Sequence, residues 1–147
     1  MKNSKGHSRD LRIGRTSEPG RLYLITAVTL NREPVFAKLA NARTLINVFR
    51  AESELKQVRT WAFVVMPDHF HWMVQLNDEA LSHVVGRVKG IAARRLGRAI
   101  WQDGFHDRAL RQEHDLKAMA RYVVANPIRA GIVDSVADYP HWDAVWL

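Results

Sequence analysis

Cysteine is absent from all 147 residues. That excludes disulfides, thiolate metal sites and a cysteine nucleophile, and it fits a chain of the reducing cytosol. No apolar run approaches the roughly 18 residues that a membrane-spanning helix needs. The opening "MKNSKGHSRDLRIGR" is basic with no apolar stretch behind it, so no secretory signal is expected. Repeats of solenoid length and low-complexity tracts are missing as well. Acid is scarce: Asp and Glu number 15 against 22 Lys and Arg, a formal net charge of +7. What remains is 47% hydrophobic, ordinary for a folded protein, and long enough for one domain with a real core.

Two segments concentrate the positive charge. Residues 1–21 carry Lys2, Lys5, Arg9, Arg12, Arg15 and Arg21 against Asp10 and Glu18. Residues 87–98, "RVKGIAARRLGR", carry Arg87, Lys89, Arg94, Arg95 and Arg98 and no acid. The planar arginine fork donates two hydrogen bonds at once to a phosphate. A polyanion, most simply nucleic acid, is the implied partner; a solubilising surface is the plainer alternative. Gly14, Pro19 and Gly20 interrupt the first 20 residues, which read as a basic arm outside a single domain spanning 21–147.

Hydrophobic periodicity organises that domain. "RLYLITAVTL" (21–30) is rich in β-branched and aromatic residues and predicts a strand. "AKLANARTLINVFRAESEL" (37–55) has apolar residues at helical spacing. "RTWAFVVM" (59–66) and "HFHWMVQL" (69–76) predict a hairpin about Pro67 and Asp68. "EALSHVVGRVKGIAARRL" (79–96) predicts an amphipathic helix, and "GFHDRALR" (104–111) a short strand. "EHDLKAMARYVVANPIRAGIV" (113–133) begins as a helix that Pro127 must end or kink, because proline lacks the N–H and disfavours helix at the residue before it. The aromatic tail "YPHWDAVWL" is expected to pack back on the body. The order β-α-β-β-α-β-α is that of an α+β, ferredoxin-like antiparallel sheet with helices on one face and an added C-terminal helix bearing a tyrosine.

The second strand of the hairpin places His69 and His71 on the same face, because residues i and i+2 of a strand project together. Two adjacent imidazoles can bind one divalent cation, or they can be two half-exposed histidines on an open sheet. With no cysteine a closed structural zinc site is not expected. Oxygen ligands and water would suit an open Mg²⁺ or Mn²⁺ site that accepts a phosphate oxygen. "RYVVANPIR" offers a third ligand in Asn126, one helical turn after Tyr122. Each has a plainer role, in packing for the tyrosine and in capping for an asparagine before proline. Together the parts make a nuclease site, in which Tyr122 attacks a scissile phosphate and forms a covalent phosphotyrosine. A nearby cation would favour its phenolate and stabilise charge in the transition state. Tyr23, within a strand, and Tyr139, before Pro140, are poorer nucleophile candidates.

"VVMPDHFHWMV", "WQDGFHDRALR" and "ARYVVANPIRAGIV", in that order, resemble the single-tyrosine HUH transposases, and most closely the REP-associated tyrosine transposases of bacteria. The likeness covers essentially the whole chain, from "HSRDLRIGR" onward. It implies that His69, His71 and Asn126 bind Mg²⁺ or Mn²⁺ and that Tyr122 is the nucleophile. The implied activity is cleavage and rejoining of single-stranded DNA at REP hairpins through a 5′-phosphotyrosine and a free 3′-OH. It also implies that the arm, with Arg9, Arg12 and Arg15, helps read a tetranucleotide beside the hairpin. Asp68 departs from the family's usual asparagine and adds a negative charge near the metal. His106 is expected to support the site from behind or to touch DNA. Arg87, Lys89, Arg94, Arg95, Arg108 and Arg111 are expected to contact DNA. A bacterial cytoplasmic location and a monomer in preference to a dimer complete the reading. The competing reading is a non-catalytic module that stacks single-stranded nucleic acid on a ferredoxin-like sheet. A replication nickase is disfavoured, since nothing resembles a helicase domain.

Overall fold

The computed structural model describes residues 20–55, 58–110 and 113–144, with side chains in the last segment from residue 116 onward. Five strands form one sheet in the order β4-β1-β3-β2-β5: β1 (Leu22–Val28), β2 (Val58–Met66), β3 (His69–Leu76), β4 (His106–Leu110) and β5 (Trp142–Ala144). All pairings are antiparallel. The first four strands, with α1 (Leu39–Glu54) and α2 (Leu81–Leu96) as crossovers, are the expected ferredoxin-like unit. Helix α3 (Glu113–Val124) and the one-turn α4 (Asn126–Arg129) follow β4. The tail does return to the body: β5 pairs with the outer edge of β2, and the buried Tyr139 hydroxyl donates to the Val65 carbonyl at 2.6 Å.

Two hydrophobic cores lie on opposite faces of the sheet. On one face Ile25, Phe63, Phe70 and Trp72 meet Leu45 and Phe49 of α1 and Val84, Val85 and Val88 of α2. Phe49 stacks on Trp72 with centroids 4.7 Å apart, a geometry favourable beyond burial alone. On the other face Leu24, Val64, Met66 and Met73 meet Leu116, Ala120, Val123 and Val124 of α3. The added helix thus covers the face that α1 and α2 leave open. Burial on both faces explains why 62–66 of β2 reads as an unbroken apolar run rather than an alternation.

Strand β1 ends at Val28, two residues earlier than its composition predicts. Beyond it the Thr29 N–H still donates in register to the Asp68 carbonyl at 2.9 Å, joining the chain after β1 to the β2–β3 turn. Helix α3 stops at Val124, three residues before Pro127, because the proline ring cannot coexist with the carbonyl four residues back.

Candidate active site

Strand β3 carries His69 and His71 toward the face covered by α3. Their cross-strand partners on β2 are Met66 and Val64, both buried in that core, so the imidazoles stand at its polar margin. The rings meet edge to face, 5.0 Å between centroids. Each is held through Nδ1. His69 Nδ1 lies 2.7 Å from Asp68 Oδ1, and His71 Nδ1 lies 2.8 Å from Thr26 Oγ1. Nε2 is the ring nitrogen that these two contacts leave open, and in His71 it is the one left to meet Asn126. Burial, then repulsion from His69 and Arg129, pushes the His71 imidazole down to about 4, against the Asn126 side-chain oxygen, which favours a ring N–H and pulls it up. A neutral imidazole is the form that can ligate a metal. Burial pushes the Asp68 carboxyl up, but hydrogen bonds from His69 and Arg32 outweigh it and hold it below its usual value.

The proline break builds the other half of the site. In a continuous helix the Val123 carbonyl would accept from the N–H of residue 127; here that residue is Pro127. The Asn126 side-chain amide takes its place, donating to Val123 at 3.1 Å and Tyr122 at 3.2 Å. With its nitrogen so occupied, Asn126 has only its side-chain oxygen left to act on His71. The capping reading of Asn126, which uses the nitrogen, thus leaves the oxygen for the ligand reading.

Of the three tyrosines, Tyr122 is 50% exposed while Tyr23 and Tyr139 are 7% and 8%. Burial pushes the Tyr139 phenol up to about 12, and its hydroxyl is already bonded, so neither alternative can meet a substrate. Arg129, which sequence reasoning passed over, has its guanidinium 3.7 Å from the Tyr122 ring centroid and donates to the Tyr122 carbonyl at 2.7 Å. Its position seven residues on, beyond the proline, gives no periodic signal.

The cationic candidates separate. The Arg87 guanidinium is bonded to Glu52 and Glu79, and those hydrogen bonds raise its pKa. Lys89 donates to the carbonyls of Gln102 and Gly104. Both act within the protein, bracing α2 against α1 and against the loop before β4. Arg94 and Arg95 are exposed in the last turn of α2, where cations also suit the helix dipole, on the layer across the sheet from the histidines. His106 and Arg108 are exposed on edge strand β4. His106 pairs with Thr26, which pairs with His71, so His106 shares that row, roughly 10 Å away at two strand spacings. Arg9, Arg12, Arg15 and Arg111, with residues 1–19 of the arm, lie outside the described residues.

Among the described residues no three His, Cys, Asp or Glu side chains gather as a metal cluster. A cation held here would meet two imidazoles and one amide oxygen, which would leave positions for water or phosphate oxygens. Such a mixed, open set fits Mg²⁺ or Mn²⁺. Among the described residues no helix is long and apolar enough to cross a membrane.

A transposase is the class this fold and site define: the family profile "Transposase IS200 like" matches residues 21–126, including His69, His71, Tyr122 and Asn126, and the chain belongs to that family. Within it, the chain is similar to REP-associated tyrosine transposases. A Haemophilus influenzae protein named "Putative REP-associated tyrosine transposase" is 28% identical over 145 positions, 83% of this chain and 78% of that protein. The REP-associated tyrosine transposase of Escherichia coli is 32% identical over 82 positions, 54% of this chain and 50% of that one. A solved REP-associated tyrosine transposase bound to a REP hairpin superposes with a TM-score of 0.72 at 25% identity, over 87% of this chain and 79% of that chain.

Proposed function

We propose that this protein cleaves and rejoins single-stranded DNA at REP hairpins, with Tyr122 as nucleophile and His69, His71 and Asn126 as ligands of Mg²⁺ or Mn²⁺. The observation that carries the reading is that the Asn126 side chain, bonded to the Tyr122 carbonyl, also acts on the His71 imidazole across the sheet face. It links the tyrosine helix to the histidine strand within one chain. Family membership and the relative bound to a REP hairpin supply the substrate class. Because one chain supplies every member of the site, a monomer suffices for it. DNA as substrate fits the bacterial cytoplasm.

The bound cation would supply charge neutralisation at a non-bridging phosphate oxygen. The residues do the rest. His69 and His71, fixed at Nδ1 by Asp68 and Thr26, present Nε2 in a set geometry. Asn126 holds α3 in register with them. The Tyr122 phenol loses its proton and Oη attacks phosphorus. The bond from phosphorus to the 3′ oxygen breaks, and that oxygen takes up a proton as the 3′-OH. The 5′-phosphotyrosine keeps one phosphodiester bond in exchange for another, so a 3′-OH can attack it and restore the phenol. Arg129, stacked on the ring, limits the orientations of Tyr122 and places a positive charge beside the reacting phosphate. His106 and Arg108 line the open edge of the same face as contacts for the strand, and the arm adds charge and base contacts.

Labelled REP hairpin strands incubated with and without Mn²⁺, then run on a denaturing gel, test the reading. A metal-dependent cleaved strand and an SDS-resistant protein–DNA adduct are expected. Tight binding with neither product would make the protein a non-catalytic binder.

A further inference from the structure

We infer that Asp68 is a positioning residue that holds His69 in the tautomer whose Nε2 lone pair is free for a divalent cation, with Arg32 holding Asp68 in turn. The inference rests on the metal reading above. A carboxylate only accepts hydrogen bonds, so at 2.7 Å from Asp68 Oδ1 the His69 Nδ1 carries the proton and Nε2 does not. The second carboxylate oxygen accepts from Arg32 at 3.1 Å, so both oxygens are oriented.

The backbone is arranged for this contact. Asn31 and Arg32 have φ of 55° and 54°, the left-handed region that side-chain-bearing residues rarely adopt. The segment they belong to is clipped to the hairpin turn: the Thr29 N–H donates to the Asp68 carbonyl at 2.9 Å, the Thr29 hydroxyl lies between the Glu33 and Asp68 carbonyls at 2.7 and 3.0 Å, and the Phe36 N–H donates to the Pro67 carbonyl. Arg32 is 64% exposed, so its ion pair is screened by water and contributes little stability. Orientation of the carboxylate is what the contact accomplishes. His71 offers the contrast. Its Nδ1 partner is the neutral Thr26 hydroxyl, which can donate as well as accept, so that contact alone does not fix the tautomer.

Long-range ¹H–¹⁵N correlation spectra of the metal-free full chain, in mildly alkaline buffer, report which ring nitrogen carries the proton. Mn²⁺ titration followed by electron paramagnetic resonance reports affinity. In the wild type His69 is expected to be protonated on Nδ1. Asp68→Ala should lose that preference and bind Mn²⁺ about tenfold to a hundredfold more weakly. Asp68→Asn retains an acceptor oxygen and the fold, so it should keep the tautomer and lose less affinity. A wild-type His69 protonated on Nε2, or equal Mn²⁺ affinity in Asp68→Ala, overturns the inference. A wild type that binds no Mn²⁺ sinks the metal reading instead, while the tautomer still decides the role of Asp68.

Discussion

The two faces of the sheet are built from different materials. Under α1 and α2 the side chains are large and aromatic, with Phe49 against Phe63, Phe70 and Trp72, and the layer is closed. Under α3 they are mainly aliphatic and small, such as Ala62, Val64, Ala120 and Val123, and toward the β2–β3 turn they give way to His69, His71, Thr26 and Asn126. One strand serves both. Phe70 and Trp72 of β3 point into the first core while His69 and His71 point the other way. The difference teaches how so small a domain holds polar, ligand-ready groups: the first face supplies rigidity, and the second is covered by a helix that stops at the site.

The sharpest way to separate the faces is Tyr122→Phe. Removing one exposed oxygen should abolish cleavage and the covalent adduct, a loss of at least about 10⁴-fold if the nucleophile is gone, with stability unchanged within about 0.5 kcal/mol. An SDS-resistant adduct from the phenylalanine variant would move the nucleophile elsewhere. Trp72→Ala makes the reverse test from the other side of β3. It should destabilise the protein by about 3–5 kcal/mol in a urea titration, and a loss below about 1 kcal/mol would mean that the aromatic layer is not the rigid one.

A comparison within α2 comes next in size. Arg87→Ala strands Glu52, 2% exposed, without its partner and should cost about 3 kcal/mol, with the salt dependence of DNA binding unchanged. Arg94→Ala and Arg95→Ala should leave stability within about 0.5 kcal/mol and lower the salt slope by about 0.7 for each phosphate no longer neutralised. A changed slope in the Arg87 variant would make that arginine a DNA contact after all.

The most gradual expected effect is that of pH on the metal-free protein. Burial, then His69 and Arg129, holds His71 at about 4 when folded, against about 6.5 in an unfolded chain. Between those values the unfolded chain binds more protons, so stability rises with pH across the window and is lost as pH falls through it. The change is at most about 3 kcal/mol. His71→Gln should flatten the slope, and an identical slope in both proteins would mean that His71 titrates as an ordinary exposed histidine.

Much of the site could be read along the chain because its geometry is local. The alternation of a strand puts His69 and His71 together whatever surrounds them, and Pro127 ends a helix by its own covalent structure. Asn126 meets Tyr122 by capping its carbonyl across that break, a habit of asparagine that is also local. Arg129 was not singled out: its contact with Tyr122 spans the Pro127 break, where helical periodicity alone does not fix which side chains meet. Arg87 and Lys89 were legible as charge but not as structure, since a basic helix face looks the same whether its donors meet phosphate or Glu52.

Element order, the fold class and the candidate residues thus follow from the amino-acid sequence itself, since 2.0 and 3.6 residue periods and proline's missing donor act over a few residues. The choice of partners does not. Thr26 reaches His71 across 45 residues, Arg87 reaches Glu52 across 35, Arg32 reaches Asp68 across 36, and Tyr139 reaches Val65 across 74. Each depends on strand order, on which face a helix covers and on where β1 leaves the sheet. Those are set by burying the two apolar cores at once, a condition on the whole chain that no short stretch of it contains.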